Sequence, residues 1–170
     1  MKRQTGLSLL EVLCVVAIMA ILLAIANPAF SSLRQRQALK SAAEALSQLF
    51  QFAQRRALQS GVGYGVSINA ELGCAVVVAE PGCDCAASDC RERADYQLGS
   101  SWLAGGVAIS ELRFTGDGSA RFSPLRGAAT AGHVLLRSAD GNGLKVVVSR
   151  LGRVRLCRPV GGEGGYPPCE

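Results

Sequence analysis

Basic side chains concentrate in the C-terminal part of the sequence, and their type and spacing suit phosphate binding. The segment from Gly141 to Val160 carries five basic residues and no acidic one. Arginine can grip a phosphate through two parallel hydrogen bonds, and such binding weakens steeply as the salt concentration rises. Few aromatic residues lie nearby, so the segment suits contact with a DNA backbone without recognition of base sequence. The candidate DNA-binding residues are Lys145, Arg150, Arg153, Arg155 and Arg158.

The same residues can also be interpreted as a solvated hairpin. Gly152 permits a tight turn between two apolar runs. The two-residue period of a strand then places Arg153 and Arg155 on one face. Val154 and Leu156 fall on the opposite face, where they anchor the strand. In this alternative the arginines serve only to keep a strand edge from aggregating.

Cysteine is the second residue type that could carry chemistry. Six of the seven cysteines lie outside the apolar N-terminal run, and an even number suits three disulfides. We expect Cys157 to pair with Cys169, which closes the C-terminal tail into a loop. The Cys83-Asp84-Cys85 segment lacks the CxxC pairs of zinc sites and lies far along the chain from His133, so we expect no metal site. The disulfide candidates are Cys74, Cys83, Cys85, Cys90, Cys157 and Cys169.

Residues for catalysis are scarce. His133 is the only histidine, and aromatic residues make up 5% of the 170 residues. No Ser/His/Asp, Cys/His or paired-carboxylate arrangement is evident. The sequence therefore predicts a protein that is not an enzyme and that needs no cofactor. A membrane-anchored extracytoplasmic enzyme is the least favoured alternative.

The elements that must position these groups begin with a membrane segment. No charged residue occurs between Val12 and Leu33, and a helix of this length can cross a bilayer core of about 30 Å. Lys2 and Arg3 precede the run, which favours a cytoplasmic N-terminus and an extracytoplasmic remainder. Glu11 lies at the head of the run, where a carboxylate needs a partner or a proton.

The N-terminal residues resemble the class III signal of type IV pilins and type II secretion pseudopilins. The resemblance rests on Gly6, the segment Leu7-Ser8-Leu9-Leu10-Glu11, the long apolar run and Pro28. It implies that residues 1–6 are a leader, that a prepilin peptidase cuts after Gly6, and that the new amine of Leu7 is methylated. It also implies that Glu11 of an incoming subunit neutralises the Leu7 amine of its neighbour in a growing filament. Pro28 stands where the family has its helix proline.

Beyond Pro28 the sequence predicts that the same helix continues and packs on a domain. Apolar residues recur at spacings of three and four, and Gly61 and Gly63 then end the pattern. We expect one helix over residues 7–60, with about 7–30 in the membrane. The predicted apolar stripe consists of Leu33, Leu39, Ala42, Ala43, Leu46, Leu49, Phe50, Ala53 and Ala57.

Residues 61–170 are predicted to form a β-rich extracytoplasmic domain with a disulfide-rich loop at 74–90 and an irregular C-terminal tail. Short apolar runs separated by glycine-containing turns indicate antiparallel strands. The expected fold is α+β and resembles that of type IV pilins, with one long helix packed on an antiparallel sheet. The predicted strands are Tyr64–Ile68, Cys74–Ala79, Val107–Phe114, Ala120–Phe122, His133–Arg137, Leu144–Ser149 and Arg153–Cys157.

The basic hairpin adds a second resemblance. Gly152-Arg153-Val154-Arg155 is similar to the GRxR signature of the GspH/FimT family of minor pilins and pseudopilins. In the FimT branch of that family the signature is implicated in DNA binding during natural transformation. The resemblance therefore implies DNA binding, and the scarcity of aromatic residues nearby favours binding of double-stranded DNA without sequence specificity. Residues from Gly73 to Ser101 match no such pattern.

The hypothesis from sequence is a minor type IV pilin of the FimT/FimU kind that takes part in pilus assembly, with DNA binding as an added role that competes with the solvated-hairpin alternative. Its expected partners are other minor pilins or pseudopilins, prepilin peptidase, the inner membrane and double-stranded DNA. We expect it in the bacterial inner membrane, with its N-terminus in the cytoplasm and its globular domain in the periplasm, before incorporation into a pilus or pseudopilus. The alternative with the same architecture is the H-type minor pseudopilin of a type II secretion system, which acts in protein secretion.

Overall fold

The chain divides into two compact units, residues 1–34 and 35–170. A computed structural model describes residues 8–79, 83–116, 119–160 and 165–169, and for residues 26–29 it describes the backbone alone. The α+β class predicted from sequence is confirmed, because a long N-terminal helix is followed by antiparallel sheets.

Helix α1 spans Leu9–Ser60. Gly61 follows the last residue of the helix. Its φ of 70° is a left-handed conformation that glycine adopts readily and that commonly terminates a helix. Within the second unit, one face of α1 is buried against the sheets. Eight of the nine residues of the predicted apolar stripe lie in this buried face, while Leu33, in the first unit, is 61% exposed.

Eight strands among the described residues form two four-stranded antiparallel sheets. The first sheet has the order β3-β2-β1-β5 and contains β1 (Tyr64–Asn69), β2 (Cys74–Val78), β3 (Tyr96–Leu98) and β5 (Ala120–Phe122). The second has the order β4-β6-β7-β8 and contains β4 (Ala108–Phe114), β6 (Gly132–Arg137), β7 (Gly143–Val148) and β8 (Val154–Cys157).

The prediction of a single sheet was therefore wrong. The strands β4 and β5 follow each other in the chain, yet β5 pairs with β1 whereas β4 pairs with β6. This separation of neighbours depends on long-range pairing, which the alternation of apolar residues along one strand does not reveal.

Phe50 of α1 packs against both sheets. Its ring centroid lies 5.8 Å from that of Phe114 in β4 and 6.4 Å from that of Phe122 in β5. Tilted aromatic pairs at these distances are favourable beyond the apolar area they bury. The helix thus supplies the common core on which the two sheets rest.

Residues 83–103 add short elements that the sequence did not predict. They are helix α2 (Ser88–Arg93), strand β3 and a 3₁₀ helix at Ser100–Leu103. Cys85 and Cys90 are buried with Val76 and Val78 in a small second core. The indole Nε1 of Trp102 donates a hydrogen bond of 2.7 Å to the carbonyl of Gly73.

One ion pair ties α1 to the segment before β3. Arg56 donates to Asp95 Oδ2 through Nε at 2.9 Å and lies 2.8 Å from it through Nη2. The Tyr64 hydroxyl donates to the same oxygen at 2.7 Å. These hydrogen bonds, that from Tyr64 foremost, lower the pKa of Asp95, because they stabilise its charged form.

Candidate functional site

The first unit exposes the apolar side chains of α1. From Leu9 to Leu33 the large apolar residues that the structure describes are each between 47% and 80% exposed. Glu11 lies in the first turn of the helix, and its amide donates to the carbonyl of Ser8 at 3.0 Å. Gly6 and Leu7 lie outside the described residues, and so does the side chain of Pro28.

A membrane span by this helix depends on two segments taken together. No single described helix satisfies the combined length and hydropathy of a span. Leu9–Ile25 and Phe30–Ser60, a bent pair with a short break between them, satisfy it jointly by length and composition.

The turn between β7 and β8 presents the predicted arginines. The Gly152 amide donates to the Ser149 carbonyl at 2.9 Å, and the Ser149 amide donates to the Arg153 carbonyl at 3.0 Å. Arg153 and Arg155 are exposed, whereas Val154 and Leu156 pack against the core. The predicted alternation of the hairpin is therefore present, with β8 beginning one residue later than predicted, at Val154.

Gly152 is required at this turn for two physical reasons. Its φ of 75° is in the left-handed region. It is also buried, and a Cβ there would overlap the carbonyl oxygen of Gly127 and the amide of Gln54. The Gln54 amide Nε2 donates to that carbonyl at 3.1 Å, so α1, the loop at Gly127 and the hairpin turn meet at one point.

Helix α1 and the hairpin enclose an open cleft of about 820 Å³. Gln51, Gln54 and Arg55 form the helix wall, at spacings of three and four that place them on one face. Arg153 and Arg155 line the opposite wall, and none of the described residues that line the cleft is a carboxylate. We name this feature the arginine cleft, and its residues are Gln51, Gln54, Arg55, Ser149, Leu151, Gly152, Arg153, Val154 and Arg155.

Of the five basic residues predicted to bind DNA, Arg153 and Arg155 line the arginine cleft and the other three do not. Arg150 is exposed in the turn beside the arginine cleft, and its carbonyl accepts a hydrogen bond from Ala129 at 3.0 Å. Lys145 is half-buried on β7 and is one of the charges that lower the pKa of Glu111, after the larger effects of His133 and Arg113. Arg158 lies beside the tail, where its amide donates to the Pro167 carbonyl at 2.8 Å. The cleft thus unites Arg153 and Arg155, but neither Lys145 nor Arg158 lines it.

Sequence reasoning missed Arg55. Its place in the polar face of a helix is typical of a solvated side chain, and only the packing of α1 against the hairpin brings it opposite Arg153. The sequence carries no local signal that distinguishes Arg55 from the other polar side chains on this face.

The structure forms three disulfides. They join Cys74 to Cys85, Cys83 to Cys90, and Cys157 to Cys169, the last being the pair expected from sequence. Within the described ranges, no group of three or more His, Cys, Asp or Glu side chains could hold a metal ion.

A helix that exposes its first apolar part, followed by antiparallel sheets packed on its second part, defines the class of pilin-like proteins. The model of the prokaryotic N-terminal methylation motif matches residues 1–27, and that of type II transport protein GspH matches residues 42–152. The chain belongs to this GspH family, which comprises minor pilins and pseudopilins.

Solved structures with a similar fold include a minor pseudopilin and a minor pilin. The minor pseudopilin EpsH of the Vibrio cholerae type 2 secretion system is 16% identical, with a TM-score of 0.51 over 72% of this chain and 98% of that one. The type IV minor pilin FimU of Pseudomonas aeruginosa is 17% identical, with a TM-score of 0.54 over 71% of this chain and 89% of that one. No curated protein sequence matches the chain.

Members of this family assemble with other pilins, and they are structural proteins rather than enzymes. The N-terminal methylation motif implies processing by prepilin peptidase. The exposed apolar helix is consistent with a membrane-anchored component of a pilus or pseudopilus.

Proposed function

We propose that this protein is a minor type IV pilin that is stored in the inner membrane and primes pilus assembly. The observation that carries the proposal is the exposed apolar surface of α1 from Leu9 to Leu33. A surface of this kind needs lipid or other apolar helices around it, and a filament core supplies the latter.

Processing creates the assembly contact in this proposal. Cleavage after Gly6 removes residues 1–6 and frees the amine of Leu7. The exposed Glu11 carboxylate of one subunit then neutralises the Leu7 amine of the next, because an uncompensated charge is costly in an apolar filament core. The second unit, residues 35–170, is the globular unit, and it lies in the periplasm before assembly.

Site-directed variants test this contact. We expect Gly6→Ala to leave an uncleaved precursor, detected by intact mass, and Glu11→Ala to lower incorporation into sheared pili at least about tenfold, as an unpaired amine costs more than about 1.4 kcal/mol. Glu71→Ala is the matched control, since Glu71 is exposed on the β1–β2 turn. Incorporation of Glu11→Ala equal to that of Glu71→Ala would contradict the proposal.

The alternative is a minor pseudopilin H of a type II secretion system. A pilus is preferred because the arginine cleft suits a polyanion, which protein secretion does not require. In a deletion strain, we expect loss of piliation and of transformation with secretion intact. Loss of secretion with normal piliation would support the pseudopilin instead.

DNA binding is a second proposed function, supported by the arginine cleft. Its guanidinium groups have no carboxylate among the lining residues to compete with phosphate. We expect the full chain in neutral detergent to bind a 20-base-pair duplex, with an affinity that falls steeply with salt. Arg153→Gln combined with Arg155→Gln should abolish this binding. Wild-type binding no tighter than that of the double variant would refute the function.

A further inference from the structure

Arg55 differs from its neighbour Arg56 in what it contacts. Arg56 is committed to Asp95 through two nitrogen atoms. Arg55 is exposed, lines the arginine cleft, and pairs with no carboxylate among the described residues. A guanidinium of this kind keeps all five of its N–H donors available to an anion.

The cleft brings this donor opposite the hairpin. Gln54 fixes the spacing of the two walls, because its Nε2 donates to the Gly127 carbonyl against which Gly152 packs. Arg55 follows Gln54 on the helix and Arg153 follows Gly152 in the hairpin, so this contact fixes the backbone positions from which both arginine side chains extend. The two walls are therefore preorganised rather than assembled by a ligand.

We infer that Arg55 is a further DNA-binding residue, and that one phosphate backbone of the duplex lies between α1 and the hairpin. The inference rests on the proposed DNA-binding function and deepens it. Arg55 binds the phosphate backbone of the DNA from the helix side. Arg153 and Arg155 bind it from the hairpin side. The Gln51 amide, exposed on the same helix face, adds a neutral donor.

The test is fluorescence anisotropy of a labelled 20-base-pair duplex with the full chain in neutral detergent at several salt concentrations. The variant is Arg55→Gln, and the matched control is Arg91→Gln, which removes the same charge from an exposed position on α2. One lost phosphate contact lowers the slope of log affinity against log salt by about 0.9. We expect this decrease and about a tenfold weaker affinity at low salt for Arg55→Gln, with less than about a twofold change for Arg91→Gln.

A double-mutant cycle with Arg153→Gln separates contact with one backbone from a general charge effect. Substitutions of residues that bind the same phosphate strand give non-additive losses of binding free energy. The losses from substitutions of distant charges are additive. Arg55→Lys keeps the charge but not the bidentate fork, so it should restore the salt slope and only part of the affinity. Equal thermal unfolding of all variants excludes a folding defect.

The outcomes distinguish this inference from the function on which it rests. If the wild-type chain does not bind the duplex, both the DNA-binding function and the inference are wrong. If the hairpin variants lose binding while Arg55→Gln behaves like Arg91→Gln, DNA binding stands and the inference is overturned. Displacement of the duplex by poly-L-glutamate at equal or lower charge concentration would also overturn it, in favour of an acidic protein partner.

Discussion

The two parts of helix α1 both carry large apolar side chains, but these side chains have opposite surroundings. Its second part, within residues 35–60, buries Leu46, Leu49 and Phe50 completely against the sheets. In its first part, Leu22 is 61% exposed. Every other large apolar side chain described there is exposed as well. The difference indicates that the stability of the second unit depends on the second part of the helix, whereas the first part leaves its apolar surface for lipid or other apolar helices.

The strongest test of this contrast is truncation of a buried side chain on the second part of α1. Phe50→Ala removes a fully buried ring that touches β4 and β5, so we expect the free energy of unfolding to fall by about 3 to 5 kcal/mol. Denaturant unfolding of the full chain in neutral detergent measures it. A loss below about 1 kcal/mol would show that the sheets do not depend on α1.

Disruption of the contact between α1 and the hairpin should cause the next largest loss in the free energy of unfolding. Gly152→Ala introduces a side chain at a φ of 75° and into the Gly127 carbonyl, so we expect a loss of about 2 to 3 kcal/mol. Gly141→Ala is the matched control, because Gly141 has a φ of 86° but open space around its Cβ position. Equal losses would mean that backbone conformation alone matters and that the packing against Gln54 does not.

The ion pair at the end of α1 gives a smaller, pH-dependent effect. Asp95→Asn should reduce the free energy of unfolding by about 1 kcal/mol at neutral pH, after allowance for solvent screening. The pKa of Asp95 is lowered in the folded chain, so this stabilisation is present above the unfolded pKa of about 4 and is lost as the pH falls through the folded value.

Denaturant unfolding at about pH 7 and about pH 3 measures the difference between the wild type and Asp95→Asn. The difference should shrink at the lower pH. Asp89→Asn is the control, since Asp89 is exposed on α2 and its only described ion pair, with Arg93, spans 3.7 Å at the surface. A difference that is equal at both pH values would rule out the charged Asp95 as its source.

The smallest effect on unfolding is expected in the first part of the helix. Leu22→Ala should change the free energy of unfolding by less than about 0.5 kcal/mol, because its side chain is already exposed. The same variant should lower incorporation into sheared pili. A loss of stability as large as that of Phe50→Ala would break the contrast between the two parts.

The sequence predicted most of the regular structure because apolar periodicity is a local signal. The buried stripe from Leu39 to Ala57 and all seven proposed strands are present at their positions, with shifts at the ends. β3 and α2 were missed because three and six residues are too few to establish a period. The cysteines in this region hold it through pairings that spacing alone does not determine.

The candidate site was predicted only in part. The hairpin and its arginines follow from the two-residue period around Gly152, which is a local feature. Arg55 lies almost one hundred positions earlier, and Gln54 contacts Gly127 across a separation of 73 residues. Such long-range contacts depend on how α1 packs against the second sheet, and no single segment of sequence contains them.

Site-specific photo-crosslinking in cells tests the filament account most directly. A photo-crosslinking amino acid replaces Ile18, which is exposed on the first part of α1, and in a second strain it replaces the exposed Ser101 of the globular unit. The account predicts protein adducts from position 18 to the N-terminal helices of other pilin-type subunits, and loss of these adducts when Glu11 is changed to Ala. Adducts to lipid alone from position 18, in cells that assemble pili normally, would contradict it.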